Sequence, residues 1–234
     1  MIDVLYRDDD ILVVDKPSGM AVHPSPGFET GTMTDELARR FPQMAGVGSR
    51  ERPGVVHRLD VETSGVMVFA LSQRAYLGLR GQFEAHDRVT KTYLAVLHGA
   101  PKGRKGTLDT LLGKRADKKR MKVVEPGGVG QRAITHWEVL ARHGGVALVE
   151  FKIETGRTHQ IRVHMASLGC PVIGDKTYGK SALDKKLDPV PARQMLHAWK
   201  LRLWHPVKGV ELSFEAPLPA DMKAYRNDLS DGTA

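Results

Sequence analysis

The run Val55-Val56-His57-Arg58-Leu59-Asp60 sets a carboxylate two positions from a guanidinium, between two apolar segments. Val55 and Val56 lead in. Ser64 to Leu71 (SGVMVFAL) leaves as a near-continuous apolar run, the pattern of a strand buried on both faces. Charges dropped between such segments must either pair or do chemistry. On an extended stretch, a period of two puts Arg58 and Asp60 on one face and His57 on the other, where a structural hydrogen bond is its expected use. Glu62 is the only other acid nearby.

The remaining reactive residue types argue against a metal centre. His159 and His164 stand five apart, whereas helical neighbours stand three or four apart. His197 and His205 share strand parity but lie eight residues apart, too far to chelate together. A metal-dependent nuclease would want clustered carboxylates or histidines, which are missing. The lone Cys170 forbids an internal disulfide and precedes Pro171 in an apolar stretch, as a small core residue would.

With 234 residues, 41% hydrophobic and 26% charged, the chain can bury a normal core within one domain. Its first residues include Arg7, Asp8, Asp9, Asp10, Asp15 and Lys16, which excludes a signal-peptide core there, and no apolar run reaches the roughly 18 residues of a membrane span. A soluble cytosolic protein with no membrane partner is expected. The 35 Lys and Arg against 27 Asp and Glu leave +8, which favours a polyanionic partner. The excess concentrates between Lys102 and Lys122, where Lys102, Arg104, Lys105, Lys114, Arg115, Lys118, Lys119, Arg120 and Lys122 face only Asp109 and Asp117.

The elements that must position these groups are mostly strands. Alternation predicts Val4–Tyr6, Ile11–Asp15, Val66–Leu71, Thr92–Leu97, Thr107–Leu111, Ile134–Ala141, Val146–Ile153, Leu196–Leu203 and Val210–Phe214. Helices are expected over Thr34–Phe41, over Gln73–Ala85 with Tyr76, Leu79 and Phe83 on one stripe, and over His159–Leu168 with Thr158 as N-cap and Gly169 at the C′ position. Stretches 26–31, 45–52 and 125–130 read as loops. Lys16-Pro17-Ser18-Gly19 reads as a turn, with Pro17 presetting φ and Gly19 permitting φ > 0. Strands that outnumber helices without alternating with them indicate α+β with a largely antiparallel sheet. The expected organisation is a single domain over 1–225 and a poorly ordered tail over 226–234.

The run His57-Arg58-Leu59-Asp60, followed by Thr63-Ser64-Gly65, resembles the signature of the RluA-type pseudouridine synthases. Asp10 to His23 (DILVVDKPSGMAVH), Lys91-Thr92-Tyr93-Leu94-Ala95-Val96, Glu154 to Gly179 (ETGRTHQIRVHMASLGCPVIGDKTYG) and Leu196 to Pro206 (LHAWKLRLWHP) resemble further blocks of that family, in its order, over roughly residues 4–217. The resemblance implies the pseudouridine synthase fold, a long bent mixed sheet with flanking helices and a central RNA-binding cleft. It implies isomerisation of uridine to pseudouridine with Asp60 as the catalytic carboxylate, Arg162 as the cation that keeps it ionised, and Tyr93 against the target base. Whether the carboxylate attacks the ribose, attacks the base or removes a proton stays open.

The reaction oxidises nothing and imports no group, so neither cofactor nor metal is expected. Arg58 is the candidate to fill the vacancy left by a flipped uridine, since a guanidinium can stack on bases. Further RNA contacts are expected from Arg157, His159, Gln160 and Lys16, and from Lys118, Lys119 and Arg120 of the basic loop. The small RNA-binding module that precedes many family members is expected to be absent. The partner is expected to be large-subunit ribosomal RNA, with transfer RNA or both as the alternative, acted on by a monomer. A non-catalytic RNA-binding or assembly factor on the same fold is the competing class.

Overall fold

The computed structural model describes residues 2–85, 87–116, 120–125 and 127–231, with backbone alone over 226–231. In chain order the elements are β1 (Asp3–Arg7), β2 (Ile11–Lys16), α1 (Met33–Arg40), β3 (Gly48–Ser49), β4 (Arg52–Pro53), β5 (Ser64–Ala70), α2 (Gln73–Ala85), β6 (Thr90–His98), β7 (Lys105–Lys114), β8 (Met121–Val124), β9 (Gln131–His143), β10 (Val146–Ile153), α3 (Gln160–Ser167), α4 (Ser181–Asp184), β11 (Leu196–Trp204), β12 (Glu211–Glu215) and α5 (Ala220–Asp231). The chain divides into two compact units, 1–91 with 198–217 and 92–197 with 218–234. The α+β class follows from both.

In the first unit the strand order is β1-β2-β5-β11-β12. The pairs β1–β2, β2–β5 and β11–β12 are antiparallel. β5 is buried along its whole length, as its unbroken apolar run requires. Its second residue, Gly65, has φ +117°, and a Cβ there would stand 2.1 Å from the carbonyl oxygen of Ala198 in β11. No other residue type fits, which gives the glycine of the Thr63-Ser64-Gly65 run a packing reason. α1 starts with a capping box: the Thr32 hydroxyl accepts the Asp35 N–H, and the Asp35 carboxylate accepts the Thr32 N–H. α2 buries Ala75, Leu79 and Phe83; Tyr76, expected on that stripe, is only half-buried.

In the second unit the order is β6-β10-β9-β7-β8. β9 and β10 form a hairpin through Gly144-Gly145, both at positive φ, the two-residue turn whose twist suits the flanking strands. Ala147, Val149, Phe151 and Ile153 are buried on one face of β10, as their spacing requires. α3 covers β8 and β9, and α5 lies against β9 and β10. Five elements were not legible as such: β8, α4, α5, and the short β3 and β4, which pair at the stretch read as a loop. The backbone of α5 is helical as far as Asp231, within the stretch expected as a tail.

α3 also begins differently from expectation. Its N-cap is His159, in the left-handed region (φ 55°) and making no side-chain cap, rather than Thr158. The turn is organised by Gln160 instead, whose Oε1 accepts both the Arg157 N–H (3.0 Å) and the Thr155 hydroxyl (2.8 Å).

Candidate active site

In the first unit Asp60 opens a four-residue turn closed by the Thr63 N–H on the Asp60 carbonyl at 3.0 Å. Lys16 holds that turn from below. It is fully buried, and its Nζ donates to the carbonyls of Pro17, Val61 and Thr63, each at 2.8 Å. The Gly19 N–H adds a bond to the Val61 carbonyl at 2.9 Å, with Gly19 at φ +83° as expected of the turn it ends. The expectation that Lys16 contacts RNA is therefore corrected: its ammonium is committed to carbonyls inside the protein, where a buried charge needs them.

Leu59 is buried, Asp60 half-buried and Arg58 exposed, the alternation an extended stretch gives. Arg58 makes no ion pair or hydrogen bond among the described residues. His57 accepts the Val68 N–H at Nε2 (3.1 Å) and stacks on Phe83 with ring centroids 4.5 Å apart. Burial, and then the charge of Lys91, push its pKa down to about 3, so it is a neutral structural residue.

In the second unit Tyr93 is buried on β6. Arg162 is buried on α3, and its Nε and Nη2 fork onto the two oxygens of Asp175 at 2.7 and 2.9 Å. The same carboxylate accepts the N–H groups of Thr177 (2.8 Å) and Tyr178 (3.0 Å). Burial opposes its ionisation, but the Arg162 fork and these N–H groups outweigh it and hold its pKa below the usual carboxylate range. Tyr178 places its ring 5.2 Å from the Arg162 guanidinium carbon, within cation–π range. Asp175 and Tyr178 lie within the Glu154–Gly179 block, but the sequence does not single them out; a partner thirteen residues along the chain leaves no local signal.

Gln160 is corrected from an RNA contact to a structural residue. Besides the two bonds its Oε1 accepts, its Nε2 donates to the Ile134 carbonyl (2.9 Å) and the Thr135 hydroxyl (3.0 Å), so it is buried with its hydrogen-bonding capacity used. His164 sits between the hydroxyls of Thr110 (3.0 Å) and Thr135 (2.9 Å), and burial lowers its pKa to about 4. Arg157 is half-buried, its Nε donating to the Arg132 carbonyl at 3.1 Å. His159 Nδ1 lies 2.9 Å from the Tyr178 hydroxyl.

Of the basic run, Arg104 and Lys105 face Glu138, whereas Lys114 and Lys122 are exposed with no ion pair among the described residues. Arg120 is exposed and closes the β7–β8 loop through its carbonyl, which accepts the Arg115 N–H at 2.7 Å. Lys118 and Lys119 lie outside the described residues. Among the described residues no group of three or more His, Cys, Asp or Glu is gathered to hold a metal ion, and no helix is long and apolar enough to cross a membrane.

The family model for RNA pseudouridylate synthase matches residues 10–167. An uncharacterised RNA pseudouridine synthase of Synechocystis is 39% identical over 94% of this chain and 66% of its own length. A ribosomal large subunit pseudouridine synthase D of Xanthomonas campestris is 41% identical over 100% of this chain and 71% of its own. The solved structure of human RNA pseudouridylate synthase domain containing 4 superposes with a TM-score of 0.76 at 29% identity, over 97% of this chain and 93% of that one.

The chain belongs to the RNA pseudouridylate synthase family, isomerases that convert uridine to pseudouridine in RNA. It spans about two thirds of the length of the Synechocystis relative.

Proposed function

We propose that this chain converts specific uridines of large-subunit ribosomal RNA to pseudouridine, with Asp60 as the catalytic carboxylate. The observation that carries the reading is the Asp60 turn: its main chain is fixed by Lys16 and leads through Thr63-Ser64 into the packed Gly65, in a chain of this family. The reaction breaks the C1′–N1 bond, turns the uracil and joins C5 to C1′, with C5 losing one proton and N1 gaining one. It balances without an oxidant or an imported group, so no cofactor or metal is called for.

Tyr93 is assigned to the target base, where stacking is worth about 1–3 kcal/mol. Arg162 is assigned to the ionised state of the carboxylate. Arg58 is assigned to the gap left by the flipped nucleotide, and Arg157, His159 and the loop residues Lys118, Lys119 and Arg120 to the RNA backbone. The chain is read as a single catalytic domain, working as a monomer in the cytoplasm. The ribosomal substrate is favoured by the name of the Xanthomonas relative.

The test uses unmodified ribosomal and transfer RNA transcripts with wild type and Asp60→Asn, EDTA present, mapping pseudouridine by chemical labelling and reverse-transcription stops. Stops in ribosomal RNA that need Asp60, with RNA binding by Asp60→Asn near normal, are expected. Stops confined to transfer RNA would move the substrate. Tight binding without stops in either RNA would favour the non-catalytic binder.

A further inference from the structure

Tyr178 joins three things that the proposed reaction needs together. Its hydroxyl oxygen accepts the N–H of Met121 at 2.9 Å. Met121 is the first residue of β8, paired directly with Lys114 across the basic loop. The hydroxyl also lies 2.9 Å from His159 Nδ1, donating there when the imidazole proton is on Nε2 and accepting when it is on Nδ1. Its ring lies on the Arg162 guanidinium and packs against a buried cluster of Leu112, Ala133 and Val163, contributed by β7, β9 and α3.

Asp175 completes the arrangement. It fixes the plane of the Arg162 guanidinium by the two-point fork, and it fixes Tyr178 through the Tyr178 N–H. The loop 175–179 is itself closed by the Gly179 N–H on the Asp175 carbonyl at 2.8 Å. One short segment thus clamps the arginine with a carboxylate on one side and an aromatic face on the other. Its phenol reaches past both to the root of the basic hairpin.

We propose that Tyr178 is a positioning residue for the isomerisation: its hydroxyl ties the RNA-contacting β7–β8 hairpin and His159 to the guanidinium of Arg162, so that RNA held by the hairpin meets a correctly aimed arginine. This rests on the pseudouridine synthase reading. Tyr178 need not touch RNA to act, because a reacting group displaced by about 1 Å can lose up to two orders of magnitude in rate.

Tyr178→Phe removes the hydroxyl and keeps the ring over Arg162. Two readouts decide the matter: single-turnover rate and affinity on ribosomal RNA transcript, and solvent exchange of the Arg162 Nε–H and Met121 amide in labelled protein. We expect the rate at saturating RNA to fall roughly tenfold with affinity within twofold, and both protons to exchange faster. An unchanged rate, or an Arg162 Nε–H that exchanges as in wild type, would overturn the proposal. A wild type without turnover would sink the enzymatic reading, while the exchange measurement would still judge whether the hydroxyl orders Arg162. Tyr178→Trp serves as a control: it should keep the contact with Arg162 but not restore the rate.

Discussion

In the unit that carries Asp60, the described contacts that fix the site act on main chain. Lys16 grips three carbonyls, Thr63 closes the turn, and Gly65 lets β11 approach. In the unit that carries Arg162, they act on the side chain itself, through the Asp175 fork and the Tyr178 ring. A guanidinium meant to supply charge has five N–H donors and loses little by committing two of them.

The largest effect should come from breaking the backbone clamp. Lys16→Met leaves the carbonyls of Pro17, Val61 and Thr63 without their ammonium, and an acceptor orphaned in the interior, as at Thr63, costs about 1–3 kcal/mol. Denaturant unfolding should show a loss of about 3–5 kcal/mol, and turnover should collapse with it. A variant as stable and active as wild type would mean the Asp60 turn holds itself.

Asp175→Asn should cost less, about 2–3 kcal/mol, because the amide still offers an acceptor to Arg162. RNA affinity should hold while turnover falls. Equal losses from both variants would erase the contrast between the two ways of holding a charge.

Acid sharpens the comparison next. His164 is neutral in the folded protein with a pKa near 4, against an ordinary value of 6.5. The unfolded chain therefore takes up this proton first. The stability that depends on it is complete above about 6.5 and is lost as pH falls towards 4. Between pH 7 and 4.5, wild type should lose about 2–3 kcal/mol more than His164→Gln in denaturant unfolding. His57 adds a second group of the same sign in the other unit. Asp15, half-buried and facing Asp3 across β1–β2, is pushed up to about 6 and acts oppositely, and the difference between the two proteins removes both. Asp175, held low, gives up its share only in stronger acid. A variant with the wild-type pH slope would show that His164 is not the neutral group described.

The smallest effect is on salt. Replacing Lys118, Lys119 and Arg120 with Ala should weaken RNA binding and flatten the log–log salt slope by roughly 0.7–0.9 for each phosphate no longer neutralised. An unchanged slope would remove the loop from the RNA footprint.

Much of this was legible in the chain itself. β5 and β10 announce themselves by an unbroken apolar run and by strict alternation, and α2 by its stripe. What escaped were contacts made at long range. Lys16 looked like a turn residue open to phosphate because lysine is rarely fully buried, and nothing local reveals carbonyls 45 and 47 residues away. Gln160 looked like an RNA contact because a polar residue in a functional block invites that reading; its partners come from β9 and Thr155. β8 has four residues behind a run of charges, too few to show a period. α5 carried a faint signal in Met222 and Tyr225, buried and three apart.

Gly65 touches Ala198, so the strand that leaves the Asp60 turn is walled by a segment synthesised 133 residues later. At about 5–20 residues per second a ribosome needs roughly 7–27 s to cover that interval. Through that time the nascent chain has all of Lys16, Arg58 and Asp60 but no β11 to close over β5. The β9–β10 hairpin, whose ends are two glycines apart, has no such wait. The second unit's hairpin is thus free to form during synthesis, while the wall beside the Asp60 turn must wait for β11.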